Sequence, residues 1–284
     1  VDKYSKDKII ILDKFTYSSN RSYIKKVTKD KKNVHLLKGD ICNKKLIFKI
    51  LNKYNINKII NFAAETHVDN SIEDPKPFID TNIYGTFNLL NCARLYWLKS
   101  KINNQHFHQI STDEVYGSLL KNQNKFKENS RFNPSSPYSS SKASSDLIAL
   151  SFFKTYKMNI TISNTSNNFG PFIHKEKLIP KIILSILNNK KIPIYGNGKQ
   201  IREWIYVLDH VRGIEKILLK GKYGESYNLS SNFNITNIKL TKIICELMNK
   251  KINKNKKFIK KFPKDLFAYN NQSEKLITFV ADRK

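Results

Sequence analysis

Short runs of β-branched residues alternate with longer amphipathic stretches through the first half of the chain. The first run is Ile9–Leu12, and a stretch with apolar residues at helical spacing follows near Leu46–Tyr54. This alternation is typical of parallel strands covered by helices. The same pattern predicts strands at Lys58–Phe62, Phe107–Ser111 and Asn159–Asn164, and helices at Pro77–Leu98 and Ser136–Tyr156. We therefore expect an α/β fold with a doubly wound parallel sheet.

The pattern becomes less regular after Asn168-Phe169-Gly170-Pro171. It predicts helices at Leu178–Leu187, Asp209–Lys220 and Ile238–Lys250, and short strands near Ile192–Tyr195 and Trp204–Val207. The lysine-rich stretch 250–261 is expected to be a solvated helix end and loop. We expect two domains: residues 1–168 form the nucleotide-binding sheet, and residues 169–284 form a smaller mixed α/β lobe.

Composition adds a strong positive charge but no motif that explains it. The 284 residues carry a formal net charge of +28, which raises the possibility of nucleic-acid binding. However, the lysines are scattered through nearly every predicted element and accompany heavy use of Asn and Ile, as A+T-rich codons would produce. The charge could also attract an anionic substrate.

The cysteines and the apolar segments indicate a cytoplasmic protein. Cys42, Cys92 and Cys245 are far apart and lack the spacing of a zinc site, so we expect reduced thiols and no metal. No stretch approaches the ~20 apolar residues of a membrane span, and the first residues do not resemble a signal peptide.

Three features point to chemistry. Asp13 follows the first strand, where an acidic residue can bind an adenosine ribose, although turn formation is the commoner reason for such an Asp. Thr112, Asp113 and Glu114 follow a β run, at the edge where a parallel sheet binds ligands, but they also resemble a helix cap. Lys142 lies four residues after Tyr138, so both would share one helix face, where an ammonium favours the phenolate.

The motifs together resemble one family. They are Asp13–Tyr17, Gly39–Cys42, Ala63–Asp69, Ser111–Gly117, Ser136–Asp146 and Glu176–Pro180. In this order they resemble dTDP-glucose 4,6-dehydratases, NAD-dependent enzymes of the extended short-chain dehydrogenase/reductase group. The resemblance covers essentially the whole chain. It implies a Rossmann-type sheet with a substrate lobe, dTDP-glucose as substrate, a role in dTDP-rhamnose or other deoxysugar biosynthesis, and a homodimer.

The resemblance also implies roles for individual residues. NAD accepts hydride from C4 of the glucosyl ring while Tyr138 takes the hydroxyl proton, assisted by Lys142 and Thr112. Glu114 then removes the C5 proton, Asp113 protonates the departing C6 hydroxyl, and the hydride returns to C6. The implied cofactor-binding residues are Asp13, Lys14, Phe15, Thr16, Asp40, Ile41, Phe62, Ala63, Ala64, Glu65, Thr81, Tyr138, Lys142 and Asn168. The implied substrate-binding residues are Thr66, Thr112, Asn167, Lys177, Leu178, Pro193, Ile194, Tyr195, Arg202 and Asn237, with Arg202 placed for the diphosphate.

Both ends depart from the family pattern. A first strand with its Gly-rich turn is not found before Ile9, and the chain stops at Ala281–Lys284, where the family continues. We expect a truncated chain that, taken alone, binds NAD weakly. Two other readings stay open: a sister epimerase or decarboxylase on the same scaffold, and an inactive or nucleic-acid-binding remnant.

Overall fold

The computed structural model describes residues 2–118, 125–254, 262 and 265–282. The chain forms two compact units. The first contains the residues up to 166 together with 209–229, and the second contains 167–208 and 230–284. The first unit thus includes a segment from beyond the predicted boundary at 168, because a strand in that segment pairs with the main sheet.

Parallel strands form the centre of the first unit. A four-stranded parallel sheet has the order β3-β4-β5-β9, and β1 and β2 form a separate parallel pair. The strand bounds are β1 Ile9–Asp13, β2 Val34–Lys38, β3 Lys58–Asn61, β4 His106–Thr112, β5 Ile160–Thr165 and β9 Ser226–Leu229. Within the described residues, no strand pairing joins β1 to β3.

Helices connect these strands. They are α1 Arg21–Thr28, α2 Lys44–Tyr54, α3 Val68–Glu73, α4 Lys76–Phe78, α5 Thr86–Ser100, α6 Pro137–Tyr156 and α8 Val207–Lys220. Between α4 and α5 the helical run widens into a π-helical segment, Ile79–Gly85. The uninterrupted helix predicted over Pro77–Leu98 is therefore wrong in its first part. Short π-helical segments inside α-helices are frequent at functional sites.

The core of this unit lies between the sheet and the helices α2, α5 and α6. Leu90, Phe107, Ile160 and Ile162 are fully buried there. Burial of a side chain of this size stabilises a fold by about 1.5–3 kcal/mol. The long central strand and the two long helices are fixed by this packing, and their ends carry the candidate site.

The second unit has its own sheets and core. Its strands are β6 Asn167–Phe169, β7 Ile192–Tyr195, β8 Ile201–Tyr206, β10 Asn234–Thr236 and β11 Ile277–Val280, with order β10-β8-β6 in one sheet and β11-β7 in another. Its helices are α7 Leu178–Leu187 and α9 Asn237–Lys254. Ile186, Ile252 and Leu266 are buried between them. Helix α9 includes the start of the lysine-rich stretch, and residues 255–261 lie outside the described residues.

The α/β fold with a parallel sheet is confirmed. The predicted strands and helices are present with shifts at their ends. The sequence analysis missed several short or exposed elements, which are α1, β2, α3, β6, β9, β10 and β11. Within the described residues, no helix combines the length and the apolar content needed to cross a membrane.

Candidate active site

The acidic pair lies where β4 ends. Residues Asp113–Tyr116 form one turn of 3-10 helix, and the Thr112 hydroxyl caps it by accepting a hydrogen bond from the Glu114 backbone N–H at 3.3 Å. The capping interpretation of this segment therefore applies to Thr112, whereas the two carboxylates remain at the carboxyl edge of the sheet.

Glycine is required directly after the 3-10 turn Asp113–Tyr116. Gly117 has φ +85°, and a Cβ there would meet the Asn133 carbonyl oxygen at 2.3 Å.

Helix α6 begins with a reciprocal cap that fixes Tyr138. The Ser136 backbone N–H donates to the Ser139 hydroxyl at 3.0 Å, and the Ser139 backbone N–H donates to the Ser136 hydroxyl at 3.1 Å. Pro137 occupies the first turn, where its missing N–H costs nothing. The Tyr138 backbone N–H donates to the hydroxyl of Ser71 in α3 at 3.2 Å. Tyr138 is therefore held from two sides.

The structure brings Tyr138 together with the three residues at the end of β4. Burial raises the pKa of the phenol well above its usual value. The negative charges of Glu114 and Asp113 raise it further, and a hydrogen bond with Thr112 lowers it. The phenol therefore lies within hydrogen-bonding reach of Thr112, and the charges of both carboxylates act on it.

Lys142 lies one turn beyond Tyr138 and is almost completely buried. Its ammonium donates to the Ile110 carbonyl oxygen at 2.7 Å. Burial lowers its pKa, and the negative charge of Asp146 opposes that effect. The expected effect of the Lys142 ammonium on the Tyr138 phenolate stays a prediction.

The candidate adenosine residues lie at the carboxyl ends of β1 and β2. The Asp13 carboxylate accepts a hydrogen bond from the Phe15 backbone N–H at 2.6 Å, and Phe15 has φ +56°. Lys14 and Asp40 form an ion pair at 2.8 Å. Partial burial pushes the Asp40 pKa up, but hydrogen bonds from Lys14 and the Cys42 N–H leave it below its usual value. Two carboxylates at one sheet edge fit the hydroxyl and amino groups of an adenosine.

Residues 62–66 form the loop after β3, and Asn82 holds this loop in place. Asn82 is fully buried in the π-helical segment, next to Thr81. Its Oδ1 accepts from the Glu65 N–H at 2.8 Å, and its Nδ2 donates to the Glu65 carbonyl at 3.0 Å and to the Ser141 hydroxyl at 2.8 Å. The loop that carries Phe62, Ala63, Ala64 and Thr66 is thus tied to α6. Thr66 and Phe62 are exposed, whereas the Ile41 side chain is in the core.

The remaining candidates belong to the second unit. Asn167 and Asn168 lie in β6, where Asn167 Nδ2 donates to the Glu203 carbonyl at 3.2 Å. Arg202 and Tyr195 are exposed on β8 and β7, and Ile194 is buried in the core. Lys177, Leu178, Pro193 and Asn237 are partly buried. The roles of these residues stay a proposal, and for Ile194 a contact would have to come from its backbone.

Sequence reasoning did not select three residues that organise this site: Ser71, Asn82 and Asp146. Ser71 and Asn82 resemble ordinary polar helix residues. Asp146 continues the four-residue spacing of Tyr138 and Lys142, and that spacing was the available signal. Among the described residues, no group of three or more His, Cys, Asp or Glu side chains is arranged to hold a metal ion.

Comparison with known proteins places this geometry in a family. The sequence profile described as GDP-mannose 4,6 dehydratase matches residues 3–282. The dTDP-glucose 4,6-dehydratase of Haemophilus influenzae is 40% identical over 283 residues, which are 99% of this chain and 80% of that protein.

Two solved structures are also similar. The dTDP-glucose 4,6-dehydratase of Bacillus anthracis in complex with NAD has 37% identity and a TM-score of 0.80, covering 100% of this chain and 78% of that one. The enzyme of Streptomyces venezuelae, also with NAD bound, has 34% identity and a TM-score of 0.82, covering 98% and 76%.

Proposed function

Because the chain belongs to the dTDP-glucose 4,6-dehydratase family, we propose that it converts dTDP-glucose to dTDP-4-keto-6-deoxyglucose and water. It is a hydro-lyase that uses NAD. The observation that carries the proposal is the shared environment of Tyr138, Thr112, Asp113 and Glu114. An elimination across C5 and C6 needs a base and an acid beside the ring. The oxidation at C4 needs a third group, which accepts the hydroxyl proton.

The residues at the end of β4 and the start of α6 supply these three groups. Tyr138 accepts the C4 hydroxyl proton, Glu114 removes the C5 proton, and Asp113 protonates the departing C6 hydroxyl. NAD, when bound, supplies the hydride acceptor at C4, the donor at C6 and a positive charge that favours the Tyr138 phenolate. Lys142 adds a second positive charge on the same helix face.

We propose that NAD binding uses the residues at the carboxyl edge of the first unit. Asp13 to Thr16, Asp40 and Ile41 would surround the adenosine, and Phe62 to Glu65, Thr81 and Lys142 would hold the remainder. Asn168 belongs to the second unit, and its contact with the cofactor stays a prediction from the family resemblance. The ion pair of Lys14 with Asp40 and the backbone bond to Asp13 orient these groups without any ligand. The substrate contacts proposed for the second unit include Arg202, whose exposed guanidinium suits a diphosphate.

We also propose that the protein acts as a homodimer through α5 and α6, in the cytoplasm. Exposed apolar side chains on these helices and the π-helical segment support the pairing: Ile79, Tyr84, Phe87, Leu98 and Leu147. Apolar groups on such a face favour association with a second apolar face. Sedimentation of the protein and of Leu147→Glu tests this pairing, since the variant should shift the population to monomers. Free thiols at Cys42, Cys92 and Cys245 suit a reducing compartment.

Incubation with dTDP-glucose and NAD tests the activity directly. The product should be lighter than the substrate by one water, as measured by mass spectrometry. A product of unchanged mass would indicate an epimerase, and loss of carbon dioxide from a uronate would indicate a decarboxylase. Tight, steeply salt-dependent binding of nucleic acid without any product would indicate an inactive, nucleic-acid-binding remnant.

A further inference from the structure

Asp146 is a buried carboxylate close to the candidate site, with no role in the chemistry described so far. It has no exposed surface and lies on α6 one turn beyond Lys142 and two turns beyond Tyr138. Residues at this spacing share one face of a helix. Tyr138, Lys142 and Asp146 therefore lie in a row along one face of α6.

Two strands hold the Asp146 carboxylate in place. Its Oδ2 accepts a hydrogen bond from the hydroxyl of Ser111 in β4 at 2.5 Å and another from Nδ2 of Asn164 in β5 at 3.2 Å. Its Oδ1 has no hydrogen-bond partner among the described residues. A buried carboxylate with one unpaired oxygen costs stability, so packing alone does not explain why an acid occupies this position.

The nearby Lys142 explains why a negative charge is useful at position 146. Its ammonium is buried and has three donor hydrogens, but within the described part of the chain it makes one hydrogen bond, to the Ile110 carbonyl. Burial favours the neutral amine, and Asp146 favours the ammonium. Without the carboxylate, the lysine would lose charge at a lower pH.

We propose that Asp146 is a positioning residue that keeps Lys142 in its charged form and thereby supports proton removal by Tyr138. This inference rests on the proposed dehydratase activity. Among the described residues, the titratable groups coupled electrostatically to Asp146 are Lys142 and Tyr138 on its own helix and Tyr116 from the 3-10 turn. Burial raises the pKa of both tyrosines, so both are neutral phenols at pH 7. Ser111 and Asn164 face it from the strands as neutral donors.

The pKa of the Asp146 carboxyl group sets the pH range in which it carries a negative charge. Burial raises the pKa of Asp146 to about 6, against the opposing effects of Lys142, Ser111 and Asn164. Asp146 is therefore ionised above about pH 6. Its negative charge favours the Lys142 ammonium at the alkaline pH values where a buried lysine would otherwise lose its proton.

The test uses Asp146→Asn, which keeps the shape and removes the charge. The rate of NADH appearance in a single turnover with dTDP-glucose is followed by stopped flow from acid to alkaline pH. The alkaline limb of the profile should move toward lower pH by at least about one unit. At pH values above the shifted limb, the maximal rate of NADH appearance should fall about tenfold or more, while the dTDP-glucose concentration that gives half of this rate changes less than about twofold. The neighbouring Ser145→Ala, which removes a buried hydroxyl from the same helix turn but no charge, is the matched control and should keep both limbs.

A second variant keeps the proposal testable if Asp146→Asn does not fold. Asp146→Ser also removes the charge but keeps a polar group that faces Ser111 and Asn164, so its alkaline limb should again move to lower pH. An unmoved alkaline limb in either folded variant overturns the positioning role. Failure of the unsubstituted protein to form any NADH from dTDP-glucose would instead overturn the proposed function on which it rests.

Discussion

Replacement of Asn82 by Ala should disconnect the loop after β3 from α6. Asn82 makes three hydrogen bonds, two to the Glu65 backbone and one to the Ser141 hydroxyl. Ser141 keeps a partner after the change, because it also donates to the Tyr138 carbonyl at 2.7 Å. The Glu65 N–H and C=O lose their hydrogen bonds to the Asn82 side chain. A buried group left unsatisfied costs about 1–3 kcal/mol, and Glu65 is only partly buried, so we expect a loss of about 2–4 kcal/mol in unfolding free energy.

The same substitution should weaken NAD binding, because the freed loop carries Ala63 and Ala64. An effect of about tenfold in Kd corresponds to about 1.4 kcal/mol. Urea unfolding and NAD calorimetry measure the two quantities. Asn52→Ala is the matched control: its exposed Nδ2 makes one bond, to the Phe48 carbonyl at 2.7 Å, and its loss should cost less than about 0.5 kcal/mol. Equal stability losses in the two variants, with unchanged NAD affinity, would refute the role given to Asn82.

Three further changes test other parts of the account. Tyr138→Phe should lower the rate of C4 oxidation by about 100-fold or more, and undiminished NADH formation would remove the phenol from the mechanism. Gly117→Ala should destabilise the turn by at least about 1–2 kcal/mol in urea unfolding, because φ there is +85° and the new Cβ meets the Asn133 carbonyl; wild-type stability would contradict this. Burial lowers the pKa of His106 to about 4 and of His108 to about 3. On acidification the unfolded chain therefore binds protons at these histidines before the folded protein does, so the free energy of unfolding should fall as pH drops from about 6.5 toward 4. His108→Gln should make this fall less steep. An unchanged pH dependence of the unfolding free energy in this variant would contradict the role of His108.

The sequence was sufficient where apolar runs and helix signals agree. Strands β4 and β5 and helix α6 were predicted because Phe107, Ile160 and Ile162 lie in short runs rich in β-branched or aromatic residues and because Ser136-Pro137 begins a helix. The carboxyl end of β4 then predicted the position of Asp113 and Glu114. These elements carry the residues that are proposed to perform the reaction.

Elements without such signals were missed. Strand β2 contains His35 and Lys38 and is only half-buried, and α1 buries no residue at all. The π-helical segment could not be predicted, because Ile79–Gly85 reads as an ordinary helix. The burial of Asp146 is a tertiary property: on a helix, an Asp at this position more often faces water.

The most direct test of the central claim follows one atom. With dTDP-glucose that carries deuterium at C4, the account predicts that the label appears at C6 of a product that has lost one water, as observed by deuterium NMR and mass spectrometry. Return of the label to C4 in a product of unchanged mass would contradict the dehydratase mechanism.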